Sequence, residues 1–327
     1  VSELSVRLTE GTVDECRVRL DSQQVSVKSV LLNRGGYSYL TGPAVPGKEK
    51  QEAAPVPGGS TPSLPWTVRV GSVVLDDNRA EYGLLNHRPA AGFDPSFIVL
   101  STLDLAVDSI YNRGADIALQ IRRMAFTERS GLTVSDMTGD IGMDASGISL
   151  AGVTLKTPFS RIEANISAGE GILALAPDSP LKADLMADVN TKDLKYLYPA
   201  LIPPVLDGRI VSLALTAAGT LGDIGKAGLD ISSPGHVAFT ADGAARNVLD
   251  PGRMEASARF EGDFRDMAFL EALLPDSALR RRIAIPDRIR LRGTAGADKG
   301  AFSAASTLST DGGEIACLLY TSPSPRD

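Results

Sequence analysis

Residues 181–189 read Leu-Lys-Ala-Asp-Leu-Met-Ala-Asp-Val, in which every odd-numbered residue is apolar and three of the four even-numbered ones are charged. A period of two is the pattern of a β-strand with one apolar and one polar face. Alternating apolar residues recur along the chain at Val68 and Val70, Leu103, Leu105 and Val107, Ile117, Leu119 and Ile121, Val211, Leu213 and Leu215, Val237 and Phe239, and Ile289 and Leu291. The sequence therefore predicts an all-β fold.

Short turn signals separate these strands. They contain glycine beside asparagine, aspartate, serine or proline, at 112–114, 129–131, 144–147, 233–235 and 311–313. Connections this short join antiparallel neighbours, because a parallel pair needs a crossover of about a dozen residues or more. We expect an antiparallel meander from Trp66 onward.

Two segments have a helical pattern instead. Residues 193–197, Asp-Leu-Lys-Tyr-Leu, and 266–270, Asp-Met-Ala-Phe-Leu, each place an Asp before a short apolar run. Because Asp is a good N-cap and a proline follows each run, we expect two short helices inserted in the sheet. Residues 219–224 and 262–267 also share the order Gly, any, apolar, any, Asp, apolar, which indicates a repeated unit.

A segment rich in proline and glycine divides the chain. Residues 41–65 hold six prolines and four glycines, a composition that predicts a flexible loop and not a strand. We therefore expect an N-terminal strand segment at 1–40, the loop at 41–65, a main β region at 66–316 and a tail at 317–327.

The residues at each end of the chain support a prediction. Leu4, Val6 and Leu8 already alternate at the first residues, which predicts a strand whose beginning is missing. Residues 317–327 resemble the translation of a sequencing adapter and are expected to be non-native. Without Cys317 a single cysteine, Cys16, remains, so no intrachain disulfide is expected.

Composition and charge argue against several classes of protein. The net charge of −7 and the pI near 5.1 disfavour general nucleic-acid binding. Two histidines and two cysteines are too few for a metal cluster built from those side chains. No apolar run reaches the roughly 18 residues of a membrane-spanning helix. We expect no metal, no cofactor and no nucleic-acid partner.

Few residues match a catalytic motif. Residues 42–48 have the spacing of a phosphate-binding loop, but two prolines remove backbone donors and the required Ser or Thr is absent. Asp104 and Asp108 share one strand face, and we interpret this carboxylate pair as solvated. His87 and His236 lack a partner cluster in the sequence. No enzymatic activity is expected.

The densest charge feature consists of six arginines, Arg280, Arg281, Arg282, Arg288, Arg290 and Arg292. Against Asp287 they give a local net charge of +5. The first interpretation is a solvated polar strand face. The alternative is a contact with anionic lipid headgroups or an acidic partner.

A two-faced sheet must cover its apolar face. It can pack against a second sheet, or it can curl into a trough whose apolar lining holds an apolar ligand. In the trough the predicted lining residues are Val68, Val70, Leu103, Leu105, Val107, Ile117, Leu119, Ile121, Leu213 and Leu215. An extracellular β-sandwich or adhesin-like scaffold without a groove is the alternative.

Several segments resemble a known family. They are 64–68 (Leu-Pro-Trp-Thr-Val), 92–95 (Gly-Phe-Asp-Pro), 103–111, 128–132 (Glu-Arg-Ser-Gly-Leu), 193–197 and 219–221. Together they resemble the middle region of TamB proteins, the translocation and assembly module subunits, of Bacteroidetes-type bacteria. TamB proteins belong to the wider AsmA-like group of envelope proteins. The similarity covers most of residues 1–316.

The resemblance implies a periplasmic protein of a Gram-negative bacterium, anchored in the inner membrane by an N-terminal helix. A C-terminal domain would contact an outer-membrane partner, TamA or a BamA-like protein, and both ends are expected to lie outside this sequence. The implied ligand is phospholipid, carried between the membranes, with a further role in outer-membrane protein assembly. The expected fold is an elongated, curled antiparallel sheet, a repeating β-groove or β-taco, with two short inserted helices.

Overall fold

The computed structural model describes residues 2–42, 66–170, 172, 176–199, 202, 204–267 and 285–321. These residues contain nineteen β-strands, the α-helix Thr191–Leu197 and a turn of 3-10 helix at Pro204–Leu206. The predicted all-β fold is therefore confirmed. From Trp66 onward the strands with a defined register pair in antiparallel order, as the short turns predict.

The strands belong to two compact units. The first unit contains β1 (Ser2–Arg7), β2 (Glu10–Asp14), β3 (Arg17–Arg19), β4 (Gln24–Asn33), β5 (Gly36–Thr41), β6 (Thr67–Leu84), β7 (Phe97–Arg113), β8 (Asp116–Glu128) and β9 (Thr133–Asp144). Strand β1 pairs with β5, and β2 and β3 pair with β4, so residues 2–41 form one long interrupted hairpin. Strands β4 and β5 then pair with β6 in parallel.

The observed units differ from the division expected from composition. Residues 1–40 and 66–145 belong to the same unit, because β4 and β5 are hydrogen-bonded to β6. The proline-rich segment lies outside the described residues from position 43 to 65. A change in composition marks a loop, but it does not show whether the strands on its two sides pair with each other.

The second unit contains β11 (Arg161–Gly169), β12 (Pro180–Asn190), β13 (Ile210–Thr220), β14 (Ile224–Ser233), β15 (Val237–Arg246), β16 (Glu255–Arg265), β17 (Arg288–Asp298), β18 (Ala301–Thr310) and β19 (Gly313–Thr321). Strand β10 (Gly147–Lys156) contributes residues to both units. In the second unit each strand from β11 to β18 pairs with its successor, so the sheet is a meander. Residues 317–321, expected to be a non-native tail, form the end of β19.

The predicted helix at 193–197 is confirmed, although its cap differs. The helix α1 spans Thr191–Leu197, and the side chain of Asn190 accepts a hydrogen bond from the backbone N–H of Lys192. Asn190 is therefore the N-cap, whereas Asp193 lies in the first turn and accepts a 2.5 Å hydrogen bond from Ser160. The helix expected at 266–270 lies outside the described residues after Met267. None of the helices in the described ranges has the length and apolar character needed to cross a bilayer.

The two units differ in what they bury. Among the described residues, the buried apolar side chains of the first unit are Val99, Leu103, Val107, Ile121 and Val134. Those of the second unit are Ala164, Ala168, Ala187, Ala297 and Met267. The first unit therefore has a small aliphatic core, whereas the second buries alanines and one methionine.

The aliphatic core of the first unit predicts a contrast between two leucines. Replacing Leu103, which is 5% exposed, by alanine removes buried methyl groups and leaves a cavity, at a cost of about 2–5 kcal/mol in the free energy of unfolding. Leu31→Ala is the matched control, because Leu31 is 41% exposed, and it should cost less than about 1 kcal/mol. Urea unfolding followed by circular dichroism measures both; equal losses would contradict the assigned core.

Candidate functional site: the apolar faces of the two units

One face of the first unit is apolar across neighbouring strands. The register sets Val13, Val30, Val73, Val107 and Ile121 opposite one another on β2, β4, β6, β7 and β8. A second row beside it consists of Leu32, Leu75, Leu105, Met124 and Met137. We call the surface formed by these rows, with the aligned residues next to them, the first apolar face.

The structure brings together the eight lining residues that the sequence predicts within this unit. Leu103, Val107 and Ile121 are buried on the first apolar face, with 5%, 7% and 8% exposure. The remaining five, Val68, Val70, Leu105, Ile117 and Leu119, are half-buried. Strict alternation alone does not give this arrangement, because β7 carries an extra residue relative to β8 near Ser109, which has a φ of 53°.

The second unit has an apolar face of its own. One row consists of Ala187, Leu213, Ile231, Phe239, Gly262, Leu291 and Leu308, each directly opposite the next on β12 to β18. A neighbouring row contains Leu185, Leu215, Leu229, Ala241 and Phe260. We call this surface the second apolar face; it contains Leu213 and Leu215, the remaining two predicted lining residues.

Small residues border the bulky rows on the second apolar face. Seven consecutive strands contribute Ala183, Ala217, Ala227, Gly243, Ala258, Ala295 and Ala304 to one row. Glycine also makes room for aromatic rings, since a Cβ at Gly262 would lie 2.6 Å from the ring of Phe264. The rings of Phe239 and Phe260 stack with centroids 6.5 Å apart. The face is therefore uneven, with low rows of alanine beside ridges of leucine and phenylalanine.

The large side chains of the second apolar face are incompletely covered. Leu213 is half-buried, Leu215 is 36% exposed and Phe302, near the start of β18, is 48% exposed. Inner-face leucines of a β-sandwich interdigitate with a second sheet and lose their contact with water. Within the described residues, the apolar side chains of this face that are buried are small, namely Ala164, Ala168, Ala187 and Ala297.

The predicted arginine cluster falls into two groups. Arg280, Arg281 and Arg282 lie outside the described residues. Arg288, Arg290 and Arg292 lie on β17, in alternation with Ile289 and Leu291. Because Leu291 belongs to the second apolar face, the three arginines lie on the opposite, polar face of the sheet.

Carboxylates on β16 stand opposite these arginines. Arg290 is the register partner of Asp263, and Arg292 is the partner of Glu261. Asp263 also accepts a 2.9 Å hydrogen bond from Nε of Arg288, and the Arg288 guanidinium holds the pKa of Asp263 well below its usual range. Asp263 also pairs with Arg265 of β16, so the carboxylates of β16 offset only part of the local positive charge.

Three of the segments that carry the family resemblance contribute residues to one loop cluster of the first unit. Nη2 of Arg129 donates hydrogen bonds to the carbonyl oxygens of Ala90 and Gly92, at 3.0 and 2.9 Å. The backbone N–H of Phe93 donates to the carbonyl of Leu197 over 3.1 Å. Segments 92–95, 128–132 and 193–197 thus include residues that fix one loop cluster, which is a structural role.

His87 has a partner that sequence analysis missed. Its Nε2 lies 2.7 Å from Oδ2 of Asp94, and the same carboxylate accepts hydrogen bonds from the backbone N–H groups of Ala90 and Ser96, both at 2.9 Å. In the sequence, the pair is indicated only by the fact that both residues lie in one loop, seven positions apart. The contacts organise the loop, and Asp94 is only 6% exposed.

The carboxylates examined as a catalytic pair are bound to separate arginines. Asp108 forms an ion pair with Arg122, and Asp104 lies 3.8 Å from Arg123. Cys16 is exposed. Within the described ranges no group of three or more His, Cys, Asp or Glu side chains is arranged to hold a metal ion.

Comparison with known protein families, with curated proteins and with solved structures gives no match to this chain.

The hydrogen bonds around Asp94 predict a dependence of stability on pH. The N–H of Ala90, followed by the side chain of His87, lowers the pKa of Asp94 to about 2 from an ordinary value of 3.8. A carboxyl group whose pKa is lower in the folded state stabilises fully above its unfolded pKa, and this contribution disappears as the pH falls toward 2. Asp94→Asn should therefore be less stable at neutral pH and should lose less stability on acidification than the wild type.

Urea unfolding at stepwise lower pH, between about 5 and 2.5, measures this difference. Asp140→Asn is the matched control, because Asp140 is an exposed carboxylate on β9 of the same unit. The stability of Asp140→Asn should depend on pH in the same way as that of the wild type. An Asp94→Asn variant with the wild-type pH dependence would contradict the role assigned to the loop.

Proposed function

We propose that this chain is a portion of a TamB-like, AsmA-type envelope protein whose apolar sheet faces bind the acyl chains of phospholipids. In this proposal the protein lies in the periplasm of a Gram-negative bacterium and carries phospholipid between the two membranes. Support of outer-membrane protein assembly, through an outer-membrane partner of the TamA or BamA type, belongs to the same proposal. The role needs no chemical step and no cofactor.

The observation that carries the proposal is the incomplete burial of the second apolar face. Leu185, Leu215 and Leu229 align on the three neighbouring strands β12, β13 and β14, and none of them is buried. Contiguous exposed apolar surface of this kind marks an interaction site in a folded protein. When acyl chains cover such a surface, each buried methylene group contributes about 0.8 kcal/mol of favourable free energy.

The dimensions of the face fit an acyl chain. The aligned rows cross seven strands, and strands spaced about 4.8 Å apart give a length of about 29 Å. The hydrocarbon core of one membrane leaflet is about 15 Å thick, half of a bilayer core of about 30 Å. A row on this face is therefore longer than a lipid tail in a membrane.

Charge is segregated from the rows that would hold lipid. The three rows of the second apolar face contain no Asp, Glu, Lys or Arg. The arginines of β17 lie on the other face, so a lipid with its tails on the apolar rows does not reach them. The proposal therefore assigns the headgroup of a bound lipid to solvent at the second apolar face, and it assigns no headgroup contact to Arg288, Arg290 or Arg292.

The envelope location rests on the sequence resemblance. Segments 92–95, 128–132 and 193–197 resemble TamB proteins, and residues from all three take part in one loop cluster. This arrangement supports a shared local structure. Attachment to the inner membrane through an N-terminal anchor, and contact with the outer-membrane partner through a C-terminal domain, are parts of the proposal that concern regions beyond this sequence.

Native mass spectrometry of the purified protein tests lipid binding. Leu105→Glu combined with Leu119→Glu places two carboxylates on the first apolar face, where desolvating them would cost several kcal/mol. We expect phospholipid to co-purify with the wild type and to fall at least about tenfold in the double variant, since about 1.4 kcal/mol corresponds to a tenfold change. Leu213→Glu with Leu215→Glu makes the same test on the second apolar face.

The matched control carries the same charges on the polar face. Ala106→Glu with Gln120→Glu adds one carboxylate to each of the same two strands, at positions adjacent to Leu105 and Leu119. This control should retain bound phospholipid, and circular dichroism should show β-structure in all variants. A wild-type protein that is free of lipid would favour the β-sandwich scaffold, and unchanged lipid in both apolar-face variants would refute the groove.

A further inference from the structure

The first apolar face contains a carboxylate that the acyl-chain contacts do not explain. Glu128 is the last residue of β8 and the register partner of Leu100 on β7, which places its side chain on the apolar side of the sheet. The residue is 4% exposed. Its Oε2 accepts a 2.6 Å hydrogen bond from the backbone N–H of Ser130, in the turn that follows.

Two polar atoms of this turn are buried without a hydrogen-bond partner among the described residues. They are Oε1 of Glu128 and Oγ of Ser130. Buried polar atoms in folded proteins nearly always have a partner, and an unpartnered carboxylate oxygen is among the least favourable exceptions. This pair of atoms therefore indicates a position for a group that donates hydrogen bonds.

The neighbouring arginine does not fill that position. The guanidinium of Arg129 is committed to the carbonyl oxygens of Ala90 and Gly92. None of the ion pairs formed among the described residues includes Glu128. The described protein groups therefore leave this position to a donor from a bound molecule, either water or a ligand.

An apolar cleft of about 150 Å³ lies one strand away from Glu128. It is lined by Leu4, Tyr37, Tyr39, Ala80, Tyr82, Ile98 and Leu100, together with the polar residues Ser38 and Glu81. The rings of Tyr39 and Tyr82 stack with centroids 6.1 Å apart. Leu100 belongs to the cleft and is also the register partner of Glu128, and such partners have Cβ atoms about 5 Å apart. A polar position and an apolar cleft thus adjoin on one face.

We infer that Glu128 and Ser130 bind the primary ammonium group of an amphiphile whose apolar part lies along the first apolar face, as in an aminophospholipid. The inference rests on the proposed function and specifies the lipid class for this face. A primary ammonium offers three N–H donors to the carboxylate and hydroxyl oxygens. A trimethylammonium group has no N–H donor, and an anionic headgroup is repelled by the carboxylate.

Lipid preference tests this assignment. Purified protein is incubated with vesicles of phosphatidylethanolamine mixed into phosphatidylcholine, with identical acyl chains, and the bound lipids are quantified by mass spectrometry. We expect the wild type to take up the ethanolamine lipid about fivefold or more above its share. Glu128→Gln keeps an acceptor for the Ser130 N–H and should bind both lipids in proportion to their supply.

Glu15→Gln is the matched control, because Glu15 belongs to the same unit, lies outside the cleft and forms ion pairs with Arg17 and Lys28. It should retain the wild-type preference. Equal uptake of the two lipids by the wild type, or an unchanged preference in Glu128→Gln, would overturn the inference and leave the turn as a structural feature that holds water.

A soluble headgroup separates this inference from the proposed function. Glycerophosphoethanolamine, which has no acyl chains, is titrated while the backbone amide of Ser130 is observed by NMR. A saturable shift in the wild type that is absent in Glu128→Gln supports the ammonium site, even if no variant binds lipid and the proposed function fails. No shift at Ser130, with lipids bound in proportion to supply, refutes the site alone.

Discussion

The cross-strand register is the constraint on which both apolar faces depend. Side chains alternate with a period of two, so a slip of one residue would move a whole strand's apolar set to the other face. The observed pairing sets Leu213 opposite Ile231, and it sets Ser212 opposite Ser232 on the polar side. The short turns hold this register, as at Gly235, whose φ of 78° suits the turn between β14 and β15.

The same register produces an apolar surface larger than the sheet itself can bury. In the first unit the curl introduced by irregular residues such as Asp77, Thr102 and Ser109 encloses a few side chains, Leu103 and Val107 among them. In the second unit the leucine rows stay half-buried. A fold that leaves its apolar rows in contact with water is suited to bind an apolar ligand, because the ligand would bury these rows.

Alternation in the sequence is enough to predict the strands and the antiparallel order after Trp66, but not the extra residue near Ser109 that affects which face a side chain lies on. It was not enough for features that depend on contacts between distant residues. The parallel pairing of β4 with β6 crosses a long loop and leaves no periodic signal. The carboxylates opposite Arg290 and Arg292 belong to another strand, so the local charge looked larger than it is. The partner of His87 and the buried side chain of Glu128 required three-dimensional packing.

Photocrosslinking from single positions tests most directly whether the apolar rows hold lipid. A benzophenone amino acid is placed at Leu213, on the second apolar face, or at the adjacent Ser212, on the polar face, in bacterial cells grown with radiolabelled phosphate. After irradiation and purification under denaturing conditions, we expect a phosphate-labelled adduct of the protein from position 213 and none from position 212. Equal labelling at the two positions, or no labelling at position 213, would contradict the claim that this face binds phospholipid.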